Sequence, residues 1–525
     1  MITTVAVPRP DRTRRPAREL VALWVASCAV LVAGSWVPAW SGDEAATIMV
    51  VRRTLAEVRQ TSVYDPALQP YYLVLNVLAV PSTAAWWMRL TSVLAMASAV
   101  TLTAALAIRW LGRCGGIAAG LVLLALPATS RYAHDVRPYA FSVLLAVALV
   151  WSWSGGLDRW PRRVAFVVLL VGLGLTQPYA LLLVPVLLAT TFLQPLRDRR
   201  TELLVLGGCS AAGLVLISPY LLFVARRAIG QIDPPPLTLA NLAEETLRLP
   251  AAVLTPPLAP VFALLVVLLT LVGLVLAWRT AGHRRLATLI TGWLLVPPVA
   301  LCLLQLLGGG PGLVARYWTF CLPAIALGVA VVLTRLWSWR PALAVGLLAV
   351  LMLLGLPNQL WIRTVDGHLG QRWRDLAVAL DHPALRDAPL LVEGWSYRAL
   401  VSNDPSLADR MVLVVDPAPE GRINPRTHGP GSPVFARLLD EHWRVVVLQG
   451  EQGYAETLPT RRLFADFGSE LTPYPLLPVR CAYFGEPLGV ITTIESALTA
   501  DEADGVAQQI SSVAPLRVLC AVDDA

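Results

Sequence analysis

Three short stretches of this chain set acids and cations where apolar runs begin or end. The first is GSWVPAWSGDEAATIMVVRRTL, residues 34–55, where Asp43 and Glu44 follow an apolar run and the adjacent Arg52 and Arg53 come soon after. The second is RYAHDVRPYAF, residues 131–141, which crowds Arg131, Tyr132, His134, Asp135 and Arg137 into one turn. The third, ARYWTF, sets Arg316 at the start of a late apolar run. A carboxylate can take a proton from a hydroxyl, and the planar guanidinium fork can hold two oxygens of a phosphate. Acids and arginines together therefore suit group transfer from a phosphorylated donor, with the arginines neutralising the phosphate as it leaves. Plainer readings stand beside this one. Ser41 or Asp43 can cap a helix whose first turn favours acids. Residues 131–141 can be a decorated turn, and Arg316 with its aromatic neighbours can anchor a span at an interface. His134, Tyr139, Gln177, Gln69, Tyr71 and Tyr72 are side chains able to bind a sugar, and equally able to pack.

The elements that must position these residues are membrane spans. The chain has 525 residues, is 56% hydrophobic and only 15% charged, and its mean hydropathy is +0.62; a soluble domain is about 25% charged. Apolar runs long enough to cross a bilayer, about 20 residues each, recur along it. They predict a polytopic α-helical membrane protein with about eleven spans, near 20–40, 84–108, 115–130, 138–154, 164–177, 179–195, 203–223, 257–277, 286–307, 317–334 and 342–357. All 42 cations are arginine, and eighteen of them fall in the N-terminal segment and in the short loops RWLGR, DRWPRR, RDRR, WRTAGHRR and RLWSWR. That bias puts the N-terminus, residues 1–19, in the cytoplasm. An odd number of spans sends the C-terminus to the opposite face, together with the loops at 41–83, 131–140, 224–256 and 308–317. Within the first of these, the apolar spacing over 44–60 predicts one amphipathic helix lying in the membrane interface. From about 358 the composition changes, and LLVEGWSYRAL, MVLVVDPAP, RVVVLQG and GVITTI read as strands of an extracytoplasmic α/β domain over 358–525.

The net charge of +7 sits in short loops between spans and does not point to nucleic acid. There is no HExxH, no Cys/His cluster, no EF-hand loop, no Walker loop and no glycine fingerprint after a strand. A donor carried on lipid phosphate agrees with the lack of a nucleotide site. Five of the seven cysteines lie in or beside apolar runs; Cys481 and Cys520 lie in the tail, where an oxidising compartment would let them pair.

In its motifs the chain resembles the GT-C glycosyltransferases, and within them the bacterial protein mannosyltransferase and aminoarabinose transferase superfamily. The resemblance rests on the DE pair after the first span, the AHDVRPYA turn, the QPYALLL break and ARYWTFCLPAIAL opening a late span. It covers about residues 20–357, and the tail resembles the soluble domain many members carry there. It implies an enzyme of the bacterial plasma membrane that moves a hexose or pentose from a polyprenyl-phosphate-linked donor to a cell-envelope glycan, lipid or protein acceptor. By resemblance, Asp43 would be the general base of an inverting displacement and Glu44 would position the acceptor or Asp43. Asp135 would be the second acidic site. Arg137 and Arg316 would meet the lipid phosphate, with Arg52 and Arg53 beside the donor at the membrane surface. No cofactor is required by the resemblance; some members use a divalent metal and others do not. The Asp135 of HDVRPYA stands where many relatives carry a small residue or another acid.

A transporter or lipid flippase is the alternative. Transporters set ionisable residues near the midplane on broken helices of internal repeats. Here the spans are almost free of charge and no repeat is visible.

Overall fold

The computed structural model describes residues 17–63, 65–193, 196–227, 236–307, 312–365, 367–368, 373–380, 389–391, 394–411, 414–416, 426–427, 444–449, 476–483, 486–495 and 519–522. The basic N-terminal segment before Ala17, the GGGP stretch and most of the tail between 417 and 475 lie outside these residues. Along the chain come α1 (Ala17–Val32), α2 (Gly42–Val51), α3 (Leu55–Gln60), α4 (Gln69–Ala79) and α5 (Ala85–Ala125). Next are α6 (Pro127–Ala133), α7 (Tyr139–Ser154), α8 (Trp160–Thr176), α9 (Leu183–Thr191), α10 (Leu196–Arg227) and α11 (Leu239–Ala251). The last apolar helices are α12 (Ala259–Arg279), α13 (Arg284–Leu306), α14 (Leu322–Trp339) and α15 (Pro341–Trp361), followed by α16 (Trp373–Leu380) and α17 (Gly394–Asn403). The chain divides into two compact units: Met1–Ser35 with Arg89–Trp361, and Trp36–Met88 with Ile362–Ala525.

The first unit is helical. Helices are the expected answer to a bilayer core, where each backbone N–H and C=O must be satisfied within its own segment. Six helices among the described residues are long and apolar enough to cross a membrane: Ala85–Ala125, Arg199–Arg227, Ala259–Arg279, Arg284–Leu306, Thr319–Trp339 and Pro341–Trp361. Two shorter apolar helices, Tyr139–Ser154 and Pro178–Thr191, accompany them. The chain is an integral membrane protein. Within α5 the helical path breaks at Gly112, whose φ of +74° lies in the left-handed region that glycine adopts without a Cβ clash. The chain doubles back there, since a Cβ on Gly116 would strike Ile108 and Ala104. Helix α14 is the most enclosed: every residue from Leu322 to Leu333 is buried. It lies so close to α12 that a Cβ on Gly273 would collide with the backbone carbonyl of Gly328. Small residues of this kind let helix backbones approach where lipid supplies no hydrophobic drive. Gly273→Ala should therefore force the two helices apart and cost about 1–3 kcal/mol, read as a lower thermal midpoint of the purified protein. An unchanged midpoint would show that the contact yields freely.

The second unit brings the first loop and the tail together. Helix α2 packs against α4 and α17. The single interfacial helix expected over 44–60 is corrected here. Helix α2 stops at Val51, and α3 starts afresh at Leu55 behind a capping box made by Thr54 and Glu57. The Nδ2 group of Asn76 on α4 donates to the carbonyls of Val51 and Arg53, both at 2.8 Å, and so satisfies the end of α2 where the helix breaks. Nor does α2 lie on a surface: eight of its ten residues, Glu44 included, are buried. Among the described residues strands fall at Leu390–Leu391, Val414–Asp416, Arg444–Gln449 and Glu486–Glu495, but the GWSYRAL part of the first segment expected as strand is helix α17. One sheet has the order β1-β4-β6-β5-β7, from Leu390–Leu391, Arg444–Gln449, Glu486–Glu495, Leu476–Tyr483 and Leu519–Val522 in that order across the sheet; β2 (Val414–Asp416) and β3 (Arg426–Thr427) form a separate pair. Only β1 and β4 run parallel. The β5–β7 register sets Cys481 opposite Cys520.

Candidate functional site

In the second unit the site is built on the first turn of α2. Ser41 is the N-cap: its hydroxyl accepts from the Glu44 N–H at 3.2 Å, and the Glu44 carboxylate accepts from the Ser41 N–H at 3.1 Å. This reciprocal pair satisfies two backbone donors that a helix start leaves free. Glu44 is fully buried, and Nδ1 of the equally buried His368 lies 2.7 Å from its Oε2. Glu44 is thus tied twice, to the cap and to a histidine from the chain beyond the last apolar helix. Asp43, its neighbour, is half-buried and sits at the positive end of the helix dipole. The acid held in place is Glu44; the acid with access is Asp43.

The other first-loop residues read from sequence scatter around this helix. Arg52 is exposed, with Nη2 3.1 Å from the Thr83 hydroxyl, and Arg53 is half-buried. Gln69 opens α4 and is half-buried. Tyr71 is buried, and Tyr72 is buried with its hydroxyl donating to Asp65 at 2.7 Å. The environment of Tyr72 is that of a packed core tyrosine.

In the first unit the RYAHDVRPYAF stretch begins as the end of α6 and continues through a turn into α7. Arg131, Tyr132, His134, Asp135 and Arg137 are all buried, the most exposed of them at 8%. A decorated surface turn would leave such groups in water, whereas burying charges costs free energy unless they are paired or await a ligand. Nη1 of Arg131 lies 3.4 Å from Asp135 Oδ2, and the Ser92 hydroxyl donates to the Asp135 carbonyl at 2.7 Å. His134 is fully buried with Nε2 2.7 Å from the Leu31 carbonyl of α1, so it anchors the turn to the first helix. Tyr139 meets Tyr132 edge-on with ring centroids 5.3 Å apart.

Arg316 lies in a single tight turn, Ala315–Tyr317, with its guanidinium 5.2 Å from the Tyr317 ring. Gln177, the C-cap of α8, donates to the Tyr317 carbonyl at 3.1 Å. The Tyr317 ring in turn meets Tyr179 edge-on at 6.2 Å. Tyr179 lines an apolar groove of about 450 Å³ with Pro178, Leu181, Leu182, Ala300 and Leu303. A path thus runs from an apolar groove through two tyrosines to a guanidinium.

Glu245, His368 and Arg89 escaped the sequence reading. The carboxylate of Glu245 on α11 accepts from the Ala315 N–H at 2.6 Å. Tyr132 feels Arg131, Arg316, Asp135 and Glu245 together, while burial, the largest cause, pushes its hydroxyl well above the usual value. Burial also pushes the Glu245 carboxyl above its ordinary 4.5, against the opposing Ala315 N–H and the charges of Arg248 and Arg316, with Glu244 adding to the rise. A carboxyl raised by folding stabilises fully below about pH 4.5 and loses that contribution as pH climbs through the folded value. Glu245→Gln should accordingly melt higher than the native protein at neutral pH, with the gain vanishing below about pH 4.5; a gain that persists in acid would contradict this. The other missed residues are His368 and Arg89, the latter fully buried with Nη1 donating to the Ser35 carbonyl at 2.6 Å. Among the described residues no group of three or more His, Cys, Asp or Glu could hold a metal ion.

No protein-family model matches the chain, and no curated protein matches it in sequence. Its fold matches solved structures. The crystal structure of ArnT from Cupriavidus metallidurans bound to undecaprenyl phosphate aligns with a TM-score of 0.50 at 14% identity, covering 91% of this chain and 98% of that one. The apo state of the same protein aligns with a TM-score of 0.50 at 13% identity over the same shares. The archaeal oligosaccharyltransferase AglB from Archaeoglobus fulgidus, in complex with an inhibitory peptide and a dolichol-phosphate, aligns at 0.49 and 10% identity, covering 90% of this chain and 74% of that one. At such identities the likeness concerns the fold.

Proposed function

From a chain that has the GT-C glycosyltransferase fold, we propose a membrane glycosyltransferase that moves a sugar from a polyprenyl-phosphate donor to a cell-envelope acceptor: glycan, lipid or protein. Asp43 takes the proton of the acceptor hydroxyl. The acceptor oxygen bonds to the anomeric carbon from the face opposite the leaving group, and the bond from that carbon to the phosphate oxygen breaks. The phosphate keeps the electron pair and departs on its lipid. Arg137 and Arg316 bind it, bidentate contacts being the strong form of such recognition. Arg52 and Arg53 approach the donor headgroup from the first loop, and Gln177, Tyr139 and Gln69 are candidates for sugar hydroxyls. Eleven spans, a cytoplasmic N-terminus and an outward-facing α/β tail in a bacterial plasma membrane complete the proposal.

The observation that carries this reading is the half-buried Arg316 guanidinium over the Tyr317 ring, which meets Tyr179 at the lining of an apolar groove. A ligand with a phosphate at one end and an isoprenoid chain at the other has both of its parts matched there. A transporter reading finds no such distinctive support. The test incubates purified protein with a panel of polyprenyl-phosphate sugars and detects the lipid phosphate released and the sugar gained by an acceptor. Release with at least one donor is expected. No release across hexose and pentose donors, from protein that is folded, would overturn the proposal.

A further inference from the structure

We propose that Glu245 is a positioning residue for donor binding: it fixes the turn that carries Arg316, and so holds that guanidinium where the lipid phosphate docks. The inference rests on the reading of Arg316 as a phosphate ligand and adds a residue from a separate loop to it.

The turn has little to hold itself. Ala315–Tyr317 is one turn of three residues, closed by Tyr317 N–H to the Val314 carbonyl at 2.9 Å and by Trp318 N–H to the Ala315 carbonyl at 3.2 Å. Neither bond uses the N–H of Ala315. That donor is buried and goes instead to Glu245 Oε2 at 2.6 Å, seventy residues earlier in the chain. Four residues before Arg316 stands Gly312, with φ of +73°, where the backbone turns into this segment. The residue that accepts from Ala315 therefore sets the path of the chain immediately before Arg316. Glu245 is itself well placed for that role. It is 8% exposed, in the middle of a thirteen-residue helix whose N-cap, Thr238, accepts from the Asn241 N–H. Its other oxygen lies 3.7 Å from Nη1 of Arg248 one turn on, which steadies the carboxylate from outside.

Three variants separate positioning from charge and from simple stability, using the full-length protein and undecaprenyl phosphate as the probe. Glu245→Ala leaves the Ala315 N–H buried without its acceptor and should weaken binding by about tenfold, the scale of a lost buried acceptor. Glu245→Gln keeps an oxygen for that N–H and removes the charge, so its dissociation constant should stay within about twofold of the native value. Leu249→Ala loosens the same helix without touching Ala315 and should lower the thermal midpoint while leaving binding unchanged. Native binding by a folded Glu245→Ala protein overturns the inference, as does a Gln variant as weak as the Ala variant. So does a loss of affinity that merely tracks the melting point across Glu245→Ala and Leu249→Ala. Failure of the native protein to bind undecaprenyl phosphate would instead sink the donor reading itself, and this inference with it.

Discussion

Asparagine at position 43 is expected to reduce sugar transfer by at least about a hundredfold, the lower end of what a positioned general base contributes. The amide is nearly the same size as the carboxylate and cannot take the acceptor's proton. The cap of α2 is made by Ser41 and Glu44, and Glu44 meets His368, so these supports of the helix do not use the Asp43 carboxylate. The Asp43 backbone carbonyl accepts from the Thr47 hydroxyl at 3.3 Å, a bond that survives the change. Thermal midpoint and binding of undecaprenyl phosphate should stay near native while release of lipid phosphate from a sugar donor collapses. Turnover close to native would remove Asp43 from the mechanism and direct attention to Asp135.

His368→Ala is expected to have the largest effect on stability. It leaves the Glu44 carboxylate, at 0% exposure, without the imidazole that lies 2.7 Å away. Leaving a buried polar group without its partner costs about 1–3 kcal/mol, and more when the group is charged. Glu44→Gln should be milder, because the amide oxygen can still accept from the Ser41 N–H and no charge is left stranded. Thermal unfolding of the two variants and the native protein in the same detergent checks the order. A His368→Ala protein that melts with the native one would show that Glu44 is solvated from another side.

The spans were readable because a bilayer demands length and apolarity of a single stretch, and each such stretch is local. The turn at Gly112 was equally local, since GRCGG interrupts two apolar runs. The first loop misled because the apolar spacing over 44–60 continues through the residues where the chain breaks. The break signal was present as TLAE, a Thr followed three residues later by Glu, and the apolar periodicity outweighed it. For the site, Asp43, Asp135, Arg137 and Arg316 each stand in a dense polar motif beside an apolar run, so their types and order drew notice. Glu245 lies in AEETLRLP, a sequence typical of any solvated helix, and the donor that gives it meaning is 70 residues away. His368 sits alone in VDGHLG. Neither has a local mark, because what distinguishes them is a partner brought close only by the fold. Tyr72, read in QPYY as able either to bind a sugar or to pack, donates its hydroxyl to Asp65.

The helix that presents Asp43 is secured by residues that a ribosome makes last. Glu44 waits for His368, and the backbone of Trp40 exchanges hydrogen bonds with Asn403, 363 positions later. During synthesis the acids emerge early, while their anchors and the apolar helices between them are still to be translated. A nascent chain therefore carries the chemistry of the first loop long before it carries the geometry, and any arrest before Asn403 yields a membrane-inserted protein whose acidic helix has no fixed orientation. Synthesis through Asn403 is what fixes that helix.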